Sequence, residues 1–360
     1  TRLRQRPIPV DPPVDEAVAA TVYITGIFFR SAWKYRSRAY RYVLLDAGHL
    51  LENLRLALAA LNLSFSVHLD FNDARAARLL GLNPDQEVCL IAVHLLAGPE
   101  PAPASEAIQA PVPLPDRFTA ASTVSDKEVA YPDILAIHRA GETSGQGTVA
   151  VDARRPRLLD RPASWTELHP RGRAAAADYT NALHRRRSRR NFIPAPVAGD
   201  DFMTFMNALA GGMDAAASGP AMRGQALQVG FLAGSAMPLR PGFYLLDPGR
   251  RRLGQIFTSD IMDAMAAACL DQMWLTRAGL HLVFMTDLEA LDRTWGARGY
   301  RYAMIAAGQL GQRAYLCSTA LGWGACGIGA VYDREAARLL HLNTDESVLY
   351  LVAAGPVKGR

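Results

Sequence analysis

The sequence predicts an α+β chain built from two related units in tandem, with mixed sheet and surrounding helices, and three observations carry this. Short runs rich in β-branched and aromatic residues alternate with stretches whose apolar residues recur at helical spacing. Half of the 360 residues are hydrophobic and 20% are charged, the balance of a soluble globular protein with core enough for two domains. A pattern from the N-terminal region then returns near the C-terminus without a gap.

In chain order, residues 1–20 are Pro-rich and read as an arm or a strand approach. Thr21–Phe29 (TVYITGIFF) is β-branched and aromatic, which predicts a buried strand. From Tyr40 to Leu61, Leu44, Leu45, Leu51, Leu54 and Leu58 mark one face of a helix. Asp73–Leu80 is a shorter helix with Asn72 or Asp73 as its cap, and Val88–Leu96 is a second buried strand. Gly98–Pro103 and Pro111–Pro115 read as linker, with one helical patch at Tyr131–Arg139. Farther on, Asp200–Ala210 and Asp260–Trp274 predict helices, and Ala226–Ala233, Gly242–Leu246 and Leu280–Met285 predict strands.

The earlier pattern then reappears. Arg38-Ala-Tyr-Arg-Tyr42 matches Arg298-Gly-Tyr-Arg-Tyr302, and Ala76-Ala-Arg-Leu-Leu80 matches Ala336-Ala-Arg-Leu-Leu340. Ala47-Gly48, Ala60-Leu61, Asp73, Asn83 and Asp85 have counterparts in Ala307-Gly308, Ala320-Leu321, Asp333, Asn343 and Asp345. Each match lies 260 positions from its partner, as Tyr300 does from Tyr40. So long a period excludes a solenoid and predicts two domains, which can pack as a pseudo-dimer within one chain. The second copy has a long segment ahead of Trp295 that the 32 residues before Trp33 cannot match, so the front of the first copy is expected to be absent from this chain.

Composition narrows the function. No apolar run reaches the length of about 20 residues that a membrane span needs, and no secretory core follows the basic N-terminus, which predicts a cytoplasmic protein without membrane contact. Cys89, Cys269, Cys317 and Cys326 form no Cys-x-x-Cys pair, so neither a disulfide framework nor a metal site is expected. The net charge of +5 suits an anionic ligand. It comes with no nucleic-acid motif, and no nucleic-acid partner is expected.

The densest charge is His184–Phe192 (HRRRSRRNF), with five arginines in nine residues. Such a cluster repels itself unless an anion sits among its guanidiniums or solvent surrounds it. The chain also carries Trp33-Lys-Tyr-Arg-Ser-Arg-Ala-Tyr-Arg-Tyr42 running into Asp46-Ala-Gly-His49, the Gly-rich stretch Leu321–Gly329 (LGWGACGIG), and the exit Gly355-Pro-Val-Lys-Gly-Arg360. In this order the four stretches resemble the nitroreductase-like FMN family, and most closely the SagB-type dehydrogenases of thiazole/oxazole-modified peptides.

The resemblance implies a nitroreductase-like fold with a partial, degenerate unit at 1–97, a linker at 98–175, and a complete FMN-binding domain at 176–360. It implies FMN as cofactor, its phosphate held by Arg186, Arg187 and Ser188, with Arg190 toward the ribityl chain or pyrimidine and Lys358 and Arg360 completing the cage. Gly327, Ile328 and Gly329, with Gly324, would form a loop that approaches the flavin ring. In the first copy Asn62–Leu69 replaces that loop and no basic cluster precedes it, so one FMN per chain is expected, with the first copy as lid. Lys34 and Tyr35, read as helix-start residues, would be catalytic, taking a ring proton; His49 reads as a packing histidine.

The implied reaction is oxidation of peptide thiazolines or oxazolines to azoles, with oxygen as terminal acceptor and a cyclodehydratase or leader-peptide-binding partner delivering the peptide. A homodimer is compatible with this. A nicotinamide-dependent nitro, quinone or enone reductase, or a flavin-free peptide-binding scaffold, are the alternatives. Ser218–Arg223 departs from the stretch that SagB-type chains carry on the substrate side, which leaves the substrate open.

Overall fold

A computed structural model describes residues 18–96, 120, 122–143, 161–162, 164–169, 179–215 and 226–359. Their contacts divide them into two units, the first within Thr1–Ala150 and Trp295–Ile305, the second within Val151–Thr294 and Ala306–Arg360. Among the described residues no helix is long and apolar enough to cross a membrane.

The first unit holds β1 (Val18–Ile27), α1 (Phe29–Tyr35), α2 (Ala39–Ala60), β2 (Phe65–His68), α3 (Asp73–Leu80), β3 (Glu87–Leu96) and α4 (Pro132–Ala140). Its sheet has the order β1-β3-β2, both pairs antiparallel. The central strand β3 is buried over Val88–His94, which explains its unbroken apolar reading. α3 is delimited by local chemistry. Asn72 accepts the Arg75 N–H at 2.8 Å, and Gly81 turns left-handed at φ 62° after the last turn.

A buried ionic cluster holds this unit together. The Asp73 carboxylate, at the N-terminus of α3, takes Arg298 Nη1 at 2.7 Å on one oxygen and Arg301 Nη1 at 3.0 Å on the other. It also accepts the Thr143 N–H at 2.9 Å. Arg298 spends its remaining donors on the carbonyls of Leu69 and Gly141, and Arg301 donates to that of His138. Asp70, which accepts from Tyr302, adds a second negative charge. Buried charges are tolerated when they are paired, as Asp73 is with Arg298 and Arg301, although Arg301 Nε is buried without a hydrogen-bond partner among the described residues.

The second unit holds β4 (Ser164–Glu167), α5 (Tyr179–Arg185), α6 (Gly199–Ala215), β5 (Gln228–Ala233), β6 (Gly242–Asp247), β7 (Arg252–Phe257), α7 (Met262–Ala268), β8 (Leu280–Asp287), α8 (Leu288–Trp295), α9 (Arg298–Ala320), β9 (Gly324–Ile328), α10 (Asp333–Leu339) and β10 (Glu346–Gly355). The first turns of α9 count with the first unit. The sheet order is β4-β7-β6-β5-β8-β10-β9. Its strand pairs are antiparallel, and an isolated bridge from Ser188 to Ala325 adds a parallel link at the β9 edge. The order β8-α8-α9-β9-α10-β10 repeats β1-α1-α2-β2-α3-β3, and β8-β10-β9 repeats β1-β3-β2, so the two copies share one topology.

Four expectations need correction. The strand expected over Thr21–Phe29 ends at Ile27, because the Phe28 carbonyl accepts the Ala32 N–H and opens α1. The helix expected over Asp260–Trp274 stops at Ala268. The Gln272 side chain donates to the Cys269 carbonyl at 2.7 Å, and Leu270 and Asp271 turn to positive φ. Within the stretch expected as linker, Ser164–Glu167 is a strand. Trp165 packs 3.8 Å from the Arg252 guanidinium, over Gly254, where a Cβ would collide with it. The Gly-rich stretch is a loop only to Trp323, with Gly322 at φ 75°, and continues as β9 because β10 supplies a ladder from Gly355 to Leu351. Gly327 is glycine for that packing, since a Cβ there would overlap the Tyr350 hydroxyl.

Three outcomes follow from these contacts. Asp73→Ala strands two buried guanidiniums and is expected to cost about 3–5 kcal/mol in urea unfolding; a loss under 1 kcal/mol would remove the cluster from its structural role. Gly327→Ala overpacks β9 against Tyr350 and is expected to cost about 1–3 kcal/mol by the same measurement. His94 and His281 are fully buried, and burial holds both near a pKa of about 4 against 6.5 in the open chain. The unfolded chain therefore binds protons that the fold refuses. Stability is full above pH 6.5 and declines as pH falls toward 4. Urea midpoints should drop across that window, less so in His94→Gln and His281→Gln, and a flat profile would contradict this.

Candidate functional site

The basic stretch leaves α5 and lies along the edge of the second unit's sheet. At the end of α5, Arg187 Nη1 donates to the carbonyls of His184 at 2.9 Å and Arg186 at 2.8 Å, so this side chain closes its own helix. The chain then meets β9, where Ser188 bridges to Ala325 and the Arg189 N–H donates to the Ala325 carbonyl at 2.8 Å. Next it meets the exit of β10. Asn191 accepts the Lys358 N–H at 2.9 Å and donates its side-chain amide to the Lys358 carbonyl at 3.1 Å. Phe192 pins the segment, buried in a cluster with Ile328, Val348 and Leu351 and stacked on Trp274 at 6.1 Å.

What remains on this edge is cationic. Arg186 stands over the Tyr315 ring at 5.4 Å, and Arg190 stands over the Trp274 ring at 5.8 Å and hydrogen-bonds the Cys326 thiol. Lys358 is exposed. Among the described residues, no carboxylate lies within ion-pair distance of Arg186, Arg189, Arg190 or Lys358. Four cations on main-chain segments that hydrogen-bond to one another or to β9, with no carboxylate partner among the described residues, are groups that could hold an anion.

Tyr315, on α9, joins the pieces and was not singled out from the sequence. Its hydroxyl hydrogen-bonds Ser188 Oγ at 3.0 Å and accepts the Gly327 N–H at 2.6 Å. Burial pushes its pKa up, with the bonds from Ser188 and Gly327 opposing, so it stays a neutral phenol. Burial likewise pushes up the Cys326 thiol, with Arg190 opposing, which leaves it protonated. A signal for Tyr315 existed in the repeat, because the first copy has Arg55 at the same offset, paired with Glu52 on its own helix at 3.1 Å.

The other expected residues are placed as follows. Ile328 is covered by the protein's own apolar cluster, the Gly327 amide is taken by Tyr315, and Gly329 is half-buried after β9. Lys34 and Tyr35 lie in the first unit, in the last turn of α1 and not at a helix start, because the helix opens earlier, at Phe28. Both are exposed; Lys34 Nζ stands 5.2 Å over the Tyr35 ring, which packs edge-on against Tyr42. His49 is half-buried on α2. Arg360 and Ser218–Arg223 lie outside the described residues.

Comparison with known proteins bears on what this edge serves. The sequence profile of the nitroreductase family matches residues 11–95 and 183–356. The nitroreductase-type protein MJ1384 of Methanocaldococcus jannaschii is 32% identical over 114 residues, which are 32% of this chain and 57% of that protein, so the match spans little more than half of the relative. A crystal structure of a nitroreductase-type protein from Anabaena variabilis superposes with a TM-score of 0.75 at 23% identity, covering 95% of this chain and 70% of that one, which shows a shared fold. Because the family profile covers more than half of the residues, in two segments that each contain a copy of the internal repeat, this chain belongs to the nitroreductase family.

Proposed function

We propose that the chain is an FMN-dependent dehydrogenase that oxidises a thiazoline or oxazoline in a peptide to the azole. The observation that carries the cofactor part is the set of unpaired cations at the β9 edge. A flavin phosphate bears nearly two negative charges and three acceptor oxygens, and guanidinium donors match it in charge and geometry. Arg186 and Lys358 would hold the phosphate, Ser188 would donate its hydroxyl, and Arg190, over Trp274, would reach the rest of the nucleotide. Arg187, committed to carbonyls of its own segment, has less to offer. Arg360 would extend the cage.

When bound, FMN would supply the two-electron oxidising chemistry, with oxygen as the terminal acceptor. The protein must supply the other half of the oxidation, removal of a proton from the azoline ring. Lys34 and Tyr35 are the proposed groups, on the strength of the Lys-Tyr motif resemblance and of their solvent-facing position in the last turn of α1. A partner that binds a leader peptide or makes the azoline would deliver the substrate.

A second reading stays within the family. A nicotinamide-dependent reductase of nitro, quinone or enone compounds would use the same anion site, and the named relatives favour it. Stopped-flow flavin reduction decides. Bleaching by an azoline peptide alone supports the dehydrogenase, and rapid bleaching by NAD(P)H without it supports the reductase. Protein that stays colourless with added FMN would overturn both and favour a flavin-free scaffold.

Arg186→Ala is expected to weaken FMN binding by tenfold or more, about 1.4 kcal/mol, in a fluorescence titration; unchanged affinity would remove Arg186 from the phosphate site. Lys34→Ala is expected to keep its flavin and lose turnover at least tenfold, and full activity in that variant would exclude Lys34 from proton removal.

A further inference from the structure

We propose that Tyr315 is the positioning residue of the anion site, setting where the Arg186 guanidinium and the Ser188 hydroxyl stand. This deepens the flavin-phosphate reading above and rests on it. Contacts to Arg186, Ser188, Gly327 and the Cys326 thiol meet on one side chain. The ring lies under Arg186 at 5.4 Å, and the hydroxyl reaches Ser188 Oγ at 3.0 Å and the Gly327 N–H at 2.6 Å. A neutral phenol can serve both polar partners at once, accepting from the amide and sharing its own proton with the serine.

The backbone at this end is held, with the Arg186 N–H on the Ala182 carbonyl at 2.9 Å and Ser188 bridged to Ala325, but those bonds do not set where the two side-chain heads stand. Tyr315 meets both side chains from α9, and through Gly327 it ties the Ser188 hydroxyl to β9.

The internal repeat supplies an independent observation. At the same offset from Tyr315, Cys326 and Gly327 the first copy has Arg55, Ser66 and Val67. The helix position therefore differs together with the strand position that it contacts. Residues that serve the common fold behave differently, since Asp73 and Asp333 and the Tyr40 and Tyr300 pair agree between copies.

The test uses the full chain with Tyr315→Phe, Tyr315→Leu, Ser188→Ala and the Tyr315→Phe/Ser188→Ala double variant. Tyr315→Phe keeps the ring under Arg186 and is expected to raise the FMN dissociation constant about three- to tenfold; Tyr315→Leu, which also loses the ring, should raise it further. If Tyr315 acts through Ser188, the double variant binds within about twofold of Tyr315→Phe alone. Wild-type affinity in Tyr315→Phe, or multiplying effects in the double variant, would overturn the proposal. Amide exchange without ligand gives a readout that does not depend on flavin. Peptides covering 186–191 and 327 should exchange faster in Tyr315→Phe while β8 amides keep their protection. Unchanged exchange at those peptides would also overturn it. If wild-type protein binds no FMN, the flavin reading falls, and the exchange result alone then decides what Tyr315 does.

Discussion

Guanidiniums packed along one short segment repel one another, and the fold answers with main-chain hydrogen bonds and one buried ring. The Arg189 amide on the Ala325 carbonyl, the exchange between Asn191 and Lys358, and Phe192 in its apolar cluster hold the segment against the sheet edge. None of these contacts neutralises the charge. The main chain of the segment is ordered by groups that leave its arginine heads, among the described residues, without carboxylate partners, and the anion site proposed here rests on that. Remove that anchoring and the same arginines become a solvated basic run with no chemistry of their own.

The two copies show how one topology serves different ends. Both place three strands in the same spatial order with a long helix between the first two. Asp73 of the first copy takes Arg298 and Arg301 of the second, and each nitrogen of Arg298 is directed at a carboxylate or carbonyl. The second copy has glycine-bearing β9 at the β2 position, and its edge receives the basic strap. The contrast is one of compensation, since the buried arginines meet a carboxylate and those at the β9 edge, among the described residues, do not.

Much of the fold was legible because its elements carry their own boundaries. α3 is announced by an Asn cap and a Gly stop, and β3 and β8 by unbroken apolar runs that reflect burial on both faces. Elements whose identity depends on a distant partner were not. Ser164–Glu167 is a strand because β7 pairs with it, and Gly324–Ile328 because β10 does; neither has a strand's composition. The break after Ala268 escaped for a similar reason, since helical periodicity continues past it and only the Gln272 side chain shows the helix ending. At the site, the arginines were visible as a charge run, whereas Tyr315 belongs to no motif and acquires its place only when α9 lies beside β9.

The sequence alone determined the tandem repeat, the α+β class, the core faces and the concentration of positive charge in one strap, because these depend on spacing and composition along the chain. Only the tertiary structure decided that Arg187 closes its own helix while Arg186 and Arg190 remain without a carboxylate partner. It also decided that Gly327 is small to admit Tyr350, and that a phenol on a separate helix joins serine and glycine across the edge. Such roles rest on which groups meet across long stretches of chain, and on charge left over once every local hydrogen bond has been made.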